Sequence, residues 1–230
     1  IAYAESVHAV AQNMGEVKPH VFVSVPRVYE KVHQRIMERV EASPPLRLKL
    51  FAWALEQGRR ANNRRVRGED PNGGLAFRIA DRLVLGKIRR GVGGRVRLSI
   101  TGAAPLAPFV DDFFHAVGLP MVEAYGLTET SPVMVIGSIE PGEIRRGWVG
   151  RALDNLEVKL ADDGEILARG PRIMNGYWRD EEKSAKALTS DGWLRTGDKG
   201  WIDDEGYIYL AGRGDDMIIR GGENISPEEV

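Results

Sequence analysis

Four short segments of this chain carry residue types suited to chemistry on a nucleotide. Thr101-Gly-Ala-Ala-Pro105 lies between a β-branched run and a helical stretch. Small residues at such a junction let a flat ligand or a phosphate approach the backbone. The same residues also suit a plain tight turn of an α/β fold. Tyr125-Gly-Leu-Thr-Glu-Thr130 follows a second strand-like run. It groups an aromatic ring for stacking on a base, a glycine, a hydroxyl for a phosphate oxygen and a hard carboxylate oxygen suited to Mg2+. Thr and Glu also cap helices, so a capped surface loop is the plain alternative; the close grouping weighs against it. Thr196-Gly-Asp198 puts an Asp on a turn, where its two oxygens can accept from two ribose hydroxyls, and Gly212-Arg213 offers a guanidinium for ribose or phosphate. Taken singly, an Asx turn and a surface ion pair account for these two.

Those segments need elements to carry them. Val21-Phe-Val-Ser-Val25 reads as a buried strand, and Pro26 then opens a helix with Val28, Val32, Ile36 and Val40 on one face. Pro44-Pro45 ends it and starts another helix to about Asn63, with Leu46, Leu50, Trp53, Ala54 and Ala61 inward. Arg64 to Gly74 reads as an exposed loop and Ala76 to Arg90 as a third helix. A strand over Val96–Ile100, a helix over Ala107–Val117 and a strand over Pro120–Ala124 follow. That alternation implies parallel α/β wiring. After Gly126 short strands between Gly/Asp turns (Glu157–Leu160, Glu165–Ala168, Gly200–Ile202, Tyr207–Leu210) read as a small antiparallel β subdomain.

Composition narrows the classes. The chain has 230 residues, 43% of them hydrophobic, enough for one large domain or one domain and part of another. With no cysteine, disulfides, thiolate metal sites and cysteine nucleophiles are excluded, and a cytoplasmic compartment fits. No apolar run approaches the roughly 20 residues that span a bilayer, and no signal peptide opens the sequence. Charge is uneven: Lys and Arg outnumber Asp and Glu 14 to 4 from Arg47 to Arg97, and are outnumbered 13 to 24 from Leu98 onward. The sequence opens without Met, and stops after Ser226-Pro-Glu-Glu229, which reads as the first turn of a helix. It is therefore read as an internal segment.

Five segments in order give the chain its resemblance: Ser99–Leu106; Tyr125-Gly-Leu-Thr-Glu129; Gly164-Glu-Ile-Leu-Ala-Arg-Gly-Pro171 with Met174-Asn-Gly-Tyr177; Thr196-Gly-Asp198; and Gly212-Arg213 with Gly221-Gly-Glu-Asn-Ile-Ser-Pro-Glu-Glu229. Together they resemble the adenylate-forming superfamily. Val23–Val32 and Glu123–Pro132 are similar to its long-chain fatty acid CoA ligase branch. The resemblance implies an α/β fold: part of the large N-terminal domain, with parallel α/β sheet layers and a small antiparallel β subdomain, then the start of a small C-terminal domain. The divisions it implies are 1–135, 136–212 and 213–230.

It also implies roles. Gly102, Ala103, Ala104, Glu123, Ala124, Tyr125 and Gly126 would form the adenine slot and the turns beside it. Thr128 would contact the α-phosphate and Glu129 would hold Mg2+. Asp198 and Arg213 would bind the ribose. Asp215 matches the hinge of the small domain, and Gly221 and Gly222 the loop along the CoA tunnel. ATP, Mg2+, CoA and a fatty acid are the implied ligands, with a fatty acyl-AMP ligase that hands its product to a carrier protein as the alternative. The family's lysine-bearing phosphate loop and its C-terminal lysine are not among these residues, so the polypeptide alone is expected to lack synthetase activity.

Other features read as bland. His8, His20, His33 and His115 have no metal-ligand spacing, Ser99 and Ser131 no nucleophile elbow, and the tryptophans read as packing. The basic stretch Arg59–Arg67 lacks interleaved aromatics, so nucleic-acid stacking is not expected. A solvated helix face is the first reading of it and an anionic membrane surface the second.

Overall fold

The computed structural model describes residues 1–6, 9–70, 74–213, 218–220 and 223–225. They divide into a first unit, Ile1–Glu123 with Ser138–Ile144, and a second, Ala124–Gly137 with the residues from Arg145 onward.

In the first unit α1 (Val10–Val17) precedes β1 (Val21–Ser24), α2 (Pro26–Glu41) and α3 (Pro45–Val66). Next come α4 (Gly74–Ala80), a π-helical segment (Asp81–Leu85), α5 (Gly86–Gly91), β2 (Leu98–Gly102), α6 (Pro108–Ala116) and the first residues of β3 (Met121–Tyr125). Proline starts α2, α3 and α6, where its fixed φ and missing N–H carry no penalty. β1 and β2 pair in parallel, from Val21 opposite Leu98 to Ser24 opposite Thr101, as the alternation of elements implies. Val28, Tyr29, Phe51, Ala54, Leu85, Val110, Phe113 and Phe114 are part of the buried core of this unit. Tyr29 is held there by its hydroxyl, which lies 3.1 Å from the Phe22 carbonyl and 3.0 Å from that of Ile100.

Two expectations need correction. β1 is not buried on both faces: Val21 and Val23 are 52% and 67% exposed, while Phe22 packs against the core. β1 lies at the end of the strand order, and strand alternation sends its valines to the open side. α3 keeps only part of the expected face: Ala54 and Ala61 are buried as expected. Leu46 is 78% exposed and Leu50 and Trp53 point outward; Phe51, Ala54, Leu55, Gly58, Ala61 and Asn62 face in. Close approach decides the phase. A Cβ on Gly58 would overlap the Ala116 carbonyl oxygen of α6, so the small-residue side of α3 is the side that docks. α3 also runs on to Val66, into the expected loop. The helix expected over Ala76–Arg90 is present but contains the π-helical segment. There Arg89 donates to Asp81 at 2.9 Å and to the Val117 carbonyl at 2.8 Å.

The second unit takes the end of β3 and adds β4 (Val135–Ile136), β5 (Gly150–Ala152), β6 (Glu157–Leu160), β7 (Glu165–Arg169), α7 (Glu181–Ala187), β8 (Leu194–Ile202) and β9 (Tyr207–Arg213). Its strands lie in the order β3-β4-β5-β9-β8-β7-β6, every pair antiparallel, which bears out the antiparallel reading. Tyr125, Met134, Val135, Ile166, Ala168 and Ile208 are among the residues of its core. β10 (Ile218–Arg220) and β11 (Glu223–Ile225) form an antiparallel pair. Asp215, Gly221, Gly222, His8 and the helix start at Ser226–Glu229 lie outside the described residues. No helix among the described residues is long and apolar enough to cross a membrane.

Candidate active site

The second unit brings three of the expected residues into direct contact. Tyr125 ends β3, and its hydroxyl donates to Oδ2 of Asp198 at 2.6 Å. Asp198 lies on β8 directly opposite Arg213 on β9, and Arg213 Nε is 3.5 Å from Asp198 Oδ1. The Asp198 side chain is 13% exposed, whereas that of Arg213 is 65% exposed. A half-buried carboxylate is thus joined to a neutral donor on one oxygen and a cation on the other. Burial, and then the bond to Asp198, push the Tyr125 phenol well above its ordinary range. Tyr125 therefore stays a donor, and its ring packs in the core of this unit instead of standing open to a stacked base.

The turn that carries Asp198 is braced from β7. The Thr196 hydroxyl donates to the Ile166 carbonyl at 2.8 Å and accepts from the Asp198 N–H at 3.1 Å. Glu165 accepts from the Gly197 N–H at 3.0 Å and from Arg195 at 3.2 Å. Both bracing residues are buried.

Between Tyr125 and β4 the chain makes a tight return. A side chain on Gly126 would overlap the Pro132 carbonyl oxygen, so only glycine permits this path. Thr128–Thr130 form one turn of 3-10 helix. It is fastened by Thr130, which is fully buried; its hydroxyl accepts from the Leu127 N–H at 2.8 Å and lies 2.9 Å from the carbonyls of Leu127 and Pro132. Thr128 is exposed and Glu129 half-buried. Glu129 Oε1 accepts from the Tyr177 hydroxyl at 2.7 Å, and the Glu129 carbonyl accepts from the Met174 N–H at 2.9 Å. Ser131, in the left-handed region at φ 56, donates to the Arg172 carbonyl at 2.9 Å.

Gly102, Ala103, Ala104 and Glu123 lie in the first unit. Gly102 ends β2; Ala103 has φ 70, an unfavourable value for a residue with a Cβ, and Ala103 and Ala104 are exposed. Such strain gathers at functional turns. Ala124 belongs to the second unit, where it pairs with Ile136.

Sequence reasoning gave no role to Thr130, Glu165, Thr196 or Tyr177. All four stand inside the segments that carry the resemblance; three have partners some 30 to 50 residues away, which leave no periodic signal (Thr196 to Ile166, Glu165 to Gly197, Tyr177 to Glu129), whereas Thr130 bonds within its own turn. Among the described residues no group of three His, Cys, Asp or Glu could hold a metal ion alone. Glu129 supplies one carboxylate, a donor set that fits a Mg2+ bound chiefly through nucleotide phosphates. The described histidines have other partners: His20 meets Arg95 at 2.7 Å, His33 lies edge-on to Phe113, and His115 meets Asp111 at 3.2 Å.

The AMP-binding enzyme family matches residues 2–178. The long-chain-fatty-acid–CoA ligase FadD15 of Mycobacterium bovis is 34% identical over 232 residues, covering 99% of this chain and 37% of its own length. The peroxisomal long chain acyl-CoA synthetase 7 of Arabidopsis thaliana is 35% identical over 244 residues, covering 99% and 33%. The chain thus spans about a third of the length of these relatives. Among solved structures, ATP-bound MatB from Rhodopseudomonas palustris superposes with a TM-score of 0.63 at 25% identity, over 97% of this chain and 36% of that one. The O-succinylbenzoate CoA synthetase MenE of Bacillus subtilis in complex with AMP gives 0.65 at 24%, covering 98% and 37%, and so supports the fold alone.

Proposed function

Because the chain belongs to the AMP-binding enzyme family, we propose that it forms part of an ATP-dependent ligase that activates a long-chain fatty acid as its acyl-adenylate and transfers the acyl group to CoA. The observation that carries this reading is the contact of Tyr125, Asp198 and Arg213 at one strand end, next in sequence to the turn that bears Thr128 and Glu129. The names of FadD15 and of the Arabidopsis synthetase support both the long-chain acid and CoA.

In the first half-reaction a carboxylate oxygen of the acid attacks the α-phosphorus of ATP. An acyl–O–P bond forms, the bond to the β-phosphate breaks, and pyrophosphate leaves. In the second, the CoA sulfur attacks the acyl carbon and AMP leaves. Asp198 accepts from a ribose hydroxyl while Tyr125 keeps its carboxylate aimed, and Arg213 holds the ribose or the phosphate at the more exposed rim. The Thr128 hydroxyl donates to an α-phosphate oxygen. Glu129 would hold Mg2+, which when bound offsets the negative charge gathering on the phosphates. Gly102, Ala103, Ala104, Glu123 and Ala124 are the residues proposed to contact the base.

Asp215 as a hinge, and Gly221 and Gly222 beside the CoA path, complete the proposal, with 1–135, 136–212 and 213–230 as its divisions. These 230 residues alone are proposed not to turn over, since no lysine-bearing Ser/Thr/Gly-rich loop occurs in them. Two measurements test the reading. AMP formation by the intact protein with acids of graded length, with and without CoA, should rise with long-chain acids and yield a thioester only with CoA. A fatty acid-dependent pyrophosphate exchange on the 230 residues should give no rate. Release of acyl-AMP without thioester in the presence of CoA would favour a carrier-protein acceptor.

A further inference from the structure

We propose that Tyr177 is a positioning residue for Glu129, setting which carboxylate oxygen that residue offers to a nucleotide-bound divalent cation. The inference rests on the assignment of Glu129 under Proposed function. Its basis is a side-chain hydrogen bond, from Tyr177 Oη to Glu129 Oε1 at 2.7 Å, between two segments of the second unit that the Met174–Glu129 and Ser131–Arg172 bonds already hold side by side.

The backbone of Glu129 is set without Tyr177. Thr130, buried two residues after the exposed Thr128, fastens the 3-10 turn from inside, and the Met174 N–H holds the Glu129 carbonyl. Tyr177 is likewise set without Glu129. Its N–H donates to Ser184 Oγ at 2.8 Å, and Ser184 Oγ donates to the Asp180 carbonyl at 2.7 Å. Asp180 in turn caps α7 by accepting from the Lys183 N–H at 3.0 Å. What remains undetermined by the backbone is the carboxylate's rotation about its side-chain bonds. The Tyr177 hydroxyl supplies that restraint: its bond to Oε1 fixes the rotation and takes up one lone pair there, which favours Oε2 as the oxygen offered to a cation. One-oxygen coordination suits Mg2+, which keeps a tight octahedral shell and takes one or two carboxylates beside phosphate oxygens. Partners that orient a ligand in this way commonly change metal affinity 10- to 100-fold when removed.

The test is Mn2+ binding to the intact protein with ATP, read from the free-ion electron paramagnetic resonance signal, for the parent, Tyr177→Phe, Glu129→Gln and the double variant. Tyr177→Phe keeps the ring, so thermal unfolding should stay within about 2 °C of the parent. Mn2+ should bind roughly tenfold more weakly, and the double variant should be no weaker than Glu129→Gln. Parent-like Mn2+ binding by Tyr177→Phe, with Glu129→Gln weakened, would overturn the role of Tyr177 and leave that of Glu129 standing. Parent-like binding by Glu129→Gln would overturn both.

Discussion

Tyr125 and Asp198 stand 73 residues apart in the chain, yet the hydroxyl of one lies 2.6 Å from the carboxylate of the other. β3 and β8 are not neighbours in the strand order, so this contact ties two parts of the second unit that the ladder does not pair. It predicts the behaviour of Tyr125→Phe. The ring and its packing stay, but a carboxylate that is 13% exposed loses its donor. Hydrogen bonds to charged groups contribute about 1.5–3 kcal/mol. Unfolding by urea should show a loss of that order, and KM for ATP should rise in the intact protein. An unchanged KM together with unchanged stability would detach Tyr125 from the nucleotide site.

Arg213→Ala should separate binding from folding. The guanidinium is 65% exposed and 3.5 Å from Asp198, so its ion pair contributes below about 1 kcal/mol to stability. Its loss should leave the unfolding midpoint nearly unmoved. If it holds ribose or phosphate, KM for ATP should rise about tenfold. A fall in stability without a change in KM would mark it as a structural strut.

Two glycines should respond to alanine with opposite signs. Gly58→Ala puts a methyl into the Ala116 carbonyl oxygen and should cost about 1–3 kcal/mol as α3 and α6 are pushed apart. Gly15 on α1 has nothing within 4 Å of an added Cβ, so Gly15→Ala should gain about 0.5–1 kcal/mol of helix stability. Chemical denaturation of the pair checks both. Equal effects would mean that α3 does not dock through its small-residue face.

His33 should make stability depend on pH. Burial lowers its pKa below the ordinary 6.5, and its ring lies edge-on to Phe109 and Phe113, at 5.4 and 4.6 Å. The unfolded chain therefore binds a proton at a higher pH than the folded one. The favourable contribution of the neutral ring is fully present above pH 6.5 and is lost as pH falls below it toward the folded-state value. Stability measured across that range should decline with falling pH, and His33→Gln should flatten the decline. A slope unchanged by the substitution would assign it to other groups.

How much of this was readable beforehand depends on how local each signal is. Pro26 and Pro45 mark the starts of α2 and α3 because a proline's effect is confined to its own turn. The strand runs Glu157–Leu160 and Tyr207–Leu210 lie within β6 and β9 for the same reason: alternation is a property of adjacent residues. On α3 the inward place of Ala54 and Ala61 is legible, but Leu46, Leu50 and Trp53 face out, because packing is decided by how near Gly58 lets Ala116 come and not by hydrophobicity. α7 escaped notice because it buries nothing; only Asp180 and the acids after it mark its start. Within the site, the residue types of Tyr125, Asp198 and Arg213 were legible, but not that the phenol would bind the carboxylate, since nothing in either segment encodes its distance from the other.

The β8–β9 ladder slips by one between Lys199 and Gly200, so that Ala211 has no counterpart and Arg213, not Gly212, falls opposite Asp198. This irregularity gives the hairpin a parity. Ile208, Leu210 and Arg213 share one side of the ribbon because a single unmatched residue lies among them. A residue inserted between Leu210 and Arg213 would turn the guanidinium to the reverse side. Two would restore its side but carry it about 7 Å along the strand. Natural variation in the length of this hairpin should therefore collect at its Asp203–Gly206 tip and spare the seven residues that follow it.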